Sequence, residues 1–398
     1  MKATKFFFFF GVLLILFEWL RVYFIMPMPG SQRINSIDLA YFLHQYRWII
    51  RMVCLLPMII GFRATFKLYP KSLIVLLLFL VGSSYVTNFI MSADQMFQLI
   101  KTKTFTKQEK NNIDLDRLVI GVEFNNEAVA YPVQIIAHHH QISDTVGGVP
   151  ILVTYCSVCR TARVFSPKIN NKITQFRLVG MDHFNAMFED PQTHSWWRQV
   201  NGTAVTGPLK GKKLKELFSK QITLRTWLEM HPDSRILQAD PFFKKQYDGL
   251  IPFETGTSRS SLTGRDTHNG AEKNWMVWLN RGENTKSISW NLLEKTSIKV
   301  ISDKSDSILI VSNDGASVLS YTVQQNSSEN LGNILFKLDK QLNRIYIYPK
   351  NKNNNWIDSF TLSGQALALK TKHNLLPMQC YQEYNHSYHV FNSPNKIK

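Results

Sequence analysis

Two of the chain's four cysteines, Cys156 and Cys159, form a C-x-x-C unit, the spacing of redox dithiols, metal knuckles and local disulfides. ILVTY leads into the pair and TARVFSP leads out with alternation and a proline, which places it in a strand-to-strand turn. A thioredoxin-type pair opens a helix instead, where the helix terminus lowers a thiol pKa. A turn bearing two sulfurs makes half of a tetrahedral zinc or soft-metal site and needs two further nitrogen or sulfur donors. His139, His140 and His183 are the obvious imidazoles. His183 lies in LVGMDHFNAMFED between Met181 and Met187, whose thioethers suit copper(I). Asp144, Asp182 and Asp190 can orient the imidazoles by hydrogen bonding.

Three readings stand on these residues. The leading one is a transition-metal site, zinc or copper, on Cys156, Cys159, His139 and His183 with His140 as alternate donor, for metal handling or redox use. The second is a membrane-tethered thiol-disulfide oxidoreductase acting through Cys156, the first nucleophile, and Cys159. The third is a non-catalytic partner-binding module in which the pair is a structural disulfide. Successive helical positions in His138-His139-His140 point about 100° apart, so two at most can face one site. His194 and His231 read as turn or capping residues, and Trp196, Trp197 and Trp227 as core. No G-x-S-x-G, H-E-x-x-H or G-x-x-x-x-G-K-[ST] occurs, which removes the commonest hydrolase, zincin and P-loop cues.

The elements that must position these residues begin with a membrane anchor. The stretch between Lys71 and Asp94 is uncharged and long enough for a bilayer core. Phe6 to Met26 is a second apolar run, interrupted by Glu18 and Arg21, three apart and able to pair on one helix face. Trp48 to Phe62, with Arg51 and Pro57, is a third, so three spanning helices are expected. Lys2, Lys5, Arg63, Lys67 and Lys71 put the amino terminus and the second loop in the cytoplasm, which leaves residues from about 92 onward outside it. The net charge is +17, but residues 1–91 hold nine basic and two acidic side chains, so much of the excess flanks the apolar runs. With no basic segment interleaved with aromatics, the expected partner is the lipid bilayer and not nucleic acid.

Beyond the anchor, segment 92–112 reads as a polar stalk. RLVIGVEF and EAVAY around Asn125-Asn126 predict a hairpin, PVQIIAHHH a short helix, and Gly147-Gly148 a tight turn before a buried strand. The same order recurs in KNWMVWLNRGENTKSISWNLLEKTSIKVISDKSDSILIVSNDG, with Ile142-Ser143-Asp144 answering to Ile301-Ser302-Asp303. The expected fold is therefore α+β, mainly antiparallel, in two related halves preceded by three transmembrane helices. Its divisions are an anchor (1–91), a stalk (92–112), a first half with the Cys/His motifs (113–240), a linker (241–272) and a degenerate second half (273–398). Where the first half has Cys156 to Cys159 the second has Asn313 to Ala316, so the fold does not need the cysteines and chemistry belongs to the first half.

AYPVQIIAHHHQISDTVGGVPILVTYCSVCRTARVFSP, FRLVGMDHFNAMFEDPQTHSWWRQVNGTAVTGPLKG and TWLEMHPDS together resemble the domain of unknown function 3179 family, densely over 113–240 and more faintly to the carboxyl end. The resemblance places the family's histidine, T-Y-C-x-x-C strand and T-x-S-x-W segment on His139, Thr154, Tyr155, Cys156, Cys159, Thr193, Ser195 and Trp197. His140 replaces the family's glutamate and Ser143 its asparagine, and His183 stands where other polar residues are common. This variant, rich in His and Met, strengthens the metal reading. The resemblance implies boundaries and motif positions, and no reaction.

Overall fold

The computed structural model describes residues 2–158 and 161–251, and beyond them 275–281, 284–302, 307–311, 314, 316–324, 334–339, 344–349, 358–361, 366–367, 379–382 and 386–390. Three helices are long and apolar enough to cross a membrane: α1 (Lys2–Tyr23), α3 (Arg47–Leu68), and α4 (Pro70–Tyr85) with its π-helical extension Val86–Ile90. The short α2 (Ile37–Gln45) precedes α3. At 1.5 Å per residue the 22 residues of α1 span about 33 Å, enough for a hydrocarbon core. Phe7, Leu14, Phe17, Cys54, Met58 and Leu73 pack between the helices, while Ile60 and Leu78 face outward at 78% and 68% exposure. The backbones approach closely at Gly61, where a Cβ would lie 2.5 Å from the Ala3 carbonyl oxygen.

Glu18 is buried inside this bundle, where a carboxylate persists only with partners. The expected Arg21 pair forms at 3.3 Å, but Arg51 is the closer partner, with Nε 2.6 Å from Oε1. The π-helical turn adds the Thr87 hydroxyl and the Asn88 amide, each 3.2 Å from Oε2.

After a single helical turn, α5 (Ala93–Met96), come β1 (Phe105–Thr106), β2 (Leu118–Phe124), β3 (Glu127–Pro132) and α6 (Val133–His139). A meander follows of β4 (Gln141–Val146), β5 (Val149–Cys156) and β6 (Thr161–Phe165), then the small hairpin β7 (Lys168–Ile169) and β8 (Lys172–Ile173). A second meander comprises β9 (Arg177–Asp182), β10 (Asn185–Glu189), β11 (Trp196–Arg198) and β12 (Ala204–Thr206). The half closes with β13 (Glu216–Leu217), β14 (Lys220–Thr223), α7 (Leu224–Met230), β15 (Arg235–Leu237) and α8 (Lys244–Gly249). Its sheets run β1-β15-β3-β2-β14, β13-β6-β5-β4 and β12-β11-β10-β9, and only β15–β3 is parallel among the described pairs of this half. The helix α7 begins at Thr223, whose hydroxyl caps the Thr226 N–H, and stops at His231 before Pro232.

The second half repeats this order with β16 (Trp275–Arg281), β17 (Asn284–Ser289), α9 (Trp290–Thr296), β18 (Ile298–Ser302), β19 (Ser307–Val311) and β20 (Leu319–Gln324). It continues with β21 (Ile334–Asp339), β22 (Arg344–Pro349), β23 (Asp358–Thr361), β24 (Ala366–Leu367), β25 (Gln379–Gln382) and β26 (His386–Val390). Its sheets β17-β16-β26, β18-β19-β20-β25 and β21-β22-β23-β24 reproduce β3-β2-β14, β4-β5-β6-β13 and β9-β10-β11-β12. Even the helix ends match. His140 after α6 (φ 60) and Ser297 after α9 (φ 58) both take the left-handed conformation and return their N–H to Ile136 and Leu293. Asp303 and most of the segment between the halves lie outside the described residues.

In the second half the β19–β20 loop occupies the place of the C-x-x-C turn, and there it is a fastener. Asp314 accepts the Ala316 and Ser317 amides at 2.9 and 2.6 Å and the Thr223 and Thr226 hydroxyls at 2.5 and 3.1 Å, which ties the loop to the start of α7.

The anchor and the β-rich domain share one core. Val22, Ile25, Met26, Ala40 and Ala93 cluster with Leu152, Cys156, Phe165, Phe188 and Trp196. The Met181 N–H donates to the Ile25 carbonyl at 2.8 Å, and a Cβ on Gly180 would stand 2.3 Å from that oxygen. Segment 92–112 is bound to the domain surface: Asp240 accepts the Lys101 and Thr102 amides at 3.0 and 2.9 Å, and β1 pairs with β15. A free-standing stalk would make neither contact.

Candidate functional site around Cys156

The last residue of β5 is Cys156, buried and paired across the sheet with Thr161. The turn between them carries Cys159, which lies outside the described residues. Two structures close on Cys156. From one side comes the end of α6, where the His140 Nδ1–H donates to the Tyr155 carbonyl at 2.9 Å and the Ser157 hydroxyl to the Ala137 carbonyl at 3.0 Å. From the other comes the β9–β10 turn, whose Phe184 carbonyl lies 3.7 Å from Cys156 Sγ. Burial pushes the His140 imidazole down to about 4, so it is neutral at pH 7, and its Nε2 keeps a lone pair.

That β9–β10 turn is unusual for its residues. Four two-residue hairpin turns among the described residues have positive φ at both positions, as type I′ geometry requires. Asn125-Asn126, Gly147-Gly148 and Asn170-Asn171 use residues that accept this conformation, whereas the fourth uses His183 (φ 49) and Phe184 (φ 64). A bulky residue there is strained, and such strain gathers at functional sites. The His183 Nδ1–H donates to Asp182 at 2.7 Å. Burial works to raise the Asp182 carboxyl, but the His183 hydrogen bond and the Arg198 guanidinium hold it below its ordinary range. The carboxylate therefore stays charged and fixes the ring, and the half-exposed Nε2 faces the Asn35 Oδ1 at 3.1 Å, so both ring nitrogens have partners. The anchor loop also holds the turn through Gln32, which accepts the Phe184 N–H at 3.2 Å.

The other sequence candidates have different surroundings. His139 gives Nδ1–H to the Gln98 carbonyl and receives the Tyr247 hydroxyl on Nε2 at 2.7 Å, so both nitrogens are engaged. Asp144 accepts the Tyr131 hydroxyl at 2.7 Å. Asp190 accepts the Thr193 N–H and hydroxyl at 2.6 and 2.7 Å and the Trp197 indole N–H at 2.8 Å, which gives the T-x-S-x-W segment a structural task. His194 faces Glu189 at 3.0 Å, and His231 ends α7 with its ring 4.1 Å from that of Trp227. Trp196, Trp197 and Trp227 are core, as expected. The structure thus brings the end of α6 and the backbone of the β9–β10 turn to Cys156, sets the His183 ring on Asp182 and Asn35, and leaves His139, Asp144 and Asp190 in separate hydrogen-bond sets. Among the described residues no group of three or more His, Cys, Asp or Glu is arranged to hold a metal ion. Sequence reasoning missed Gln32 and Asn35, two polar residues in an anchor loop whose only signal is their closeness to an apolar run.

In comparisons with known proteins, a family described as "Protein of unknown function (DUF3179)" matches residues 98–395. No curated protein and no solved structure matches the chain.

Proposed function

The chain belongs to the DUF3179 family, and from that premise we propose that it is a membrane-anchored protein binding a transition metal outside the cytoplasm through Cys156, Cys159 and His183. What carries this reading is the approach of the strained His183–Phe184 turn to the Cys156 sulfur, with the imidazole fixed by a charged Asp182. A carboxylate that orients a histidine in this way sets its tautomer and raises its strength as a ligand. His140, through Nε2, is the alternate nitrogen donor; to serve through Nε2, His139 would surrender its Tyr247 hydrogen bond and His183 its contact with Asn35. Three protein donors leave a position open, the arrangement of sites that exchange or use a metal. Met187, in the same core cluster as Cys156, favours copper(I) over zinc. The extracytoplasmic side follows from the cations Lys2, Lys5, Arg63, Lys67 and Lys71 gathered at the opposite end of the helices.

Metal analysis of the full chain in detergent is the test. About one equivalent, lost in Cys159→Ser and weakened roughly 10–100-fold in Asp182→Asn, is the expected result. A thiol-disulfide oxidoreductase is the second reading, favoured by the C-x-x-C spacing of Cys156 and Cys159 at the end of β5. A metal-free chain that exchanges with a small-molecule disulfide would select it. If Cys156→Ser/Cys159→Ser changes neither metal content, redox activity nor stability, only a partner-binding module remains.

A further inference from the structure

The end of the helix bundle remote from Cys156 carries a second feature. A groove of about 430 Å³ runs between α1 and α4, within the size range of ligand sites. Phe8 and Ile15 form one wall, two turns apart on α1, and Val75 and Phe79 form the other, one turn apart on α4. Lys71 and Ser72 stand at its mouth, in the first turn of α4. Lys2, Lys5, Arg63 and Lys67 share that end of the bundle, and no Asp or Glu occurs in residues 1–17 or 52–93. An apolar groove on a membrane-facing surface, open to lipid and bordered at one end by Lys71, matches a molecule with an acyl chain and an anionic head.

We propose that this groove is a binding site for an anionic phospholipid, with one acyl chain between α1 and α4 and the phosphate at Lys71 and Ser72. The chain contributes by burial against Phe8, Ile15, Val75 and Phe79 and the head by charge, so neither part alone gives the preference. The diffuse attraction of five cations would favour anionic lipid too, but it would not depend on the shape of the slot.

The experiment is native mass spectrometry of the full chain from detergent, titrated with phosphatidylglycerol or phosphatidylcholine of the same acyl composition. One phosphatidylglycerol should be retained in preference to phosphatidylcholine. Lys71→Gln should weaken retention about fivefold, from the loss of one cation near a lipid phosphate. Val75→Trp, which fills the slot and keeps every charge, should weaken phosphatidylglycerol retention as well. Lys5→Gln, away from the groove lining, should have less effect than Lys71→Gln. Equal retention of the two lipids, or a Val75→Trp chain that still prefers phosphatidylglycerol as the wild type does, overturns the proposal. Equal losses from Lys5→Gln and Lys71→Gln do so as well, and identify diffuse attraction as the cause.

Discussion

Removal of the His140 imidazole tests whether the join between α6 and the Cys156 strand is built on a neutral ring. Burial drives His140 from the ordinary histidine value of 6.5 down to about 4, against the opposing hydrogen bond to the Tyr155 carbonyl. The unfolded chain therefore takes up a proton below pH 6.5 that the folded chain refuses until about pH 4. The sign follows: the stability is present above pH 6.5 and is lost as the pH falls toward 4. At about 1.4 kcal/mol per pH unit, this one residue removes about 3 kcal/mol over that interval, a large share of ordinary domain stability. His140→Asn is the suitable change, because asparagine tolerates the left-handed φ of 60 and can still donate to Tyr155. The lost ring contact with Phe97, now 4.6 Å between centroids, lowers stability at every pH, so the readout is the slope. Urea unfolding of the full chain in detergent, followed by tryptophan fluorescence between pH 4 and 7, should show a shallower acid dependence in the variant. His138 retains its own contribution, being pushed to about 4 by burial and by His139, so the dependence should shrink and not vanish. Parallel pH profiles for wild type and variant would refute the neutral-ring account.

Three other substitutions probe the scaffold. Glu18→Gln removes the charge that balances Arg21 and Arg51 inside the bundle and should cost about 3–5 kcal/mol, measured as thermal unfolding in detergent. Gly180→Ala drives a methyl group toward the Ile25 carbonyl and should cost about 1–3 kcal/mol, with unfolding of the β-rich domain at lower urea. Asp314→Ala unties the β19–β20 loop from Thr223 and Thr226 and should cost about 1.5–3 kcal/mol, with protease cleavage appearing first in the second half.

Much of this architecture was legible because short-range rules write it directly. The three spans, the Asn125-Asn126 and Gly147-Gly148 turns, and the short helix Val133–His139 follow from hydropathy and turn chemistry. The repeat in strand order recurs in the order of three sheets among the described residues. What stayed hidden depends on residues far apart in the chain. Arg51 is the best partner of Glu18 although Arg21 is the nearer in sequence, and Asn88 is 70 residues away. Segment 92–112 looked solvated because its many lysines are polar, yet its backbone amides find Asp240 and its β1 strand finds β15. The three histidines at the end of α6 and just after it were alike as letters. Their different lots, one stitched to Gln98 and Tyr247 and another to Tyr155, come from tertiary neighbours that no spacing encodes.

The interleaving of Ile25, Met26 and Ala40 with Leu152 and Trp196 bears on how this protein is made and destroyed. A domain completed by its own membrane segment is not a detachable cargo on a tether. Proteolytic shedding near residue 91 would strip out part of its interior, so release from the bilayer should amount to inactivation. During biogenesis the β-rich domain should mature only after the helices are inserted, which reserves any chemistry at Cys156 for a chain already at its destination.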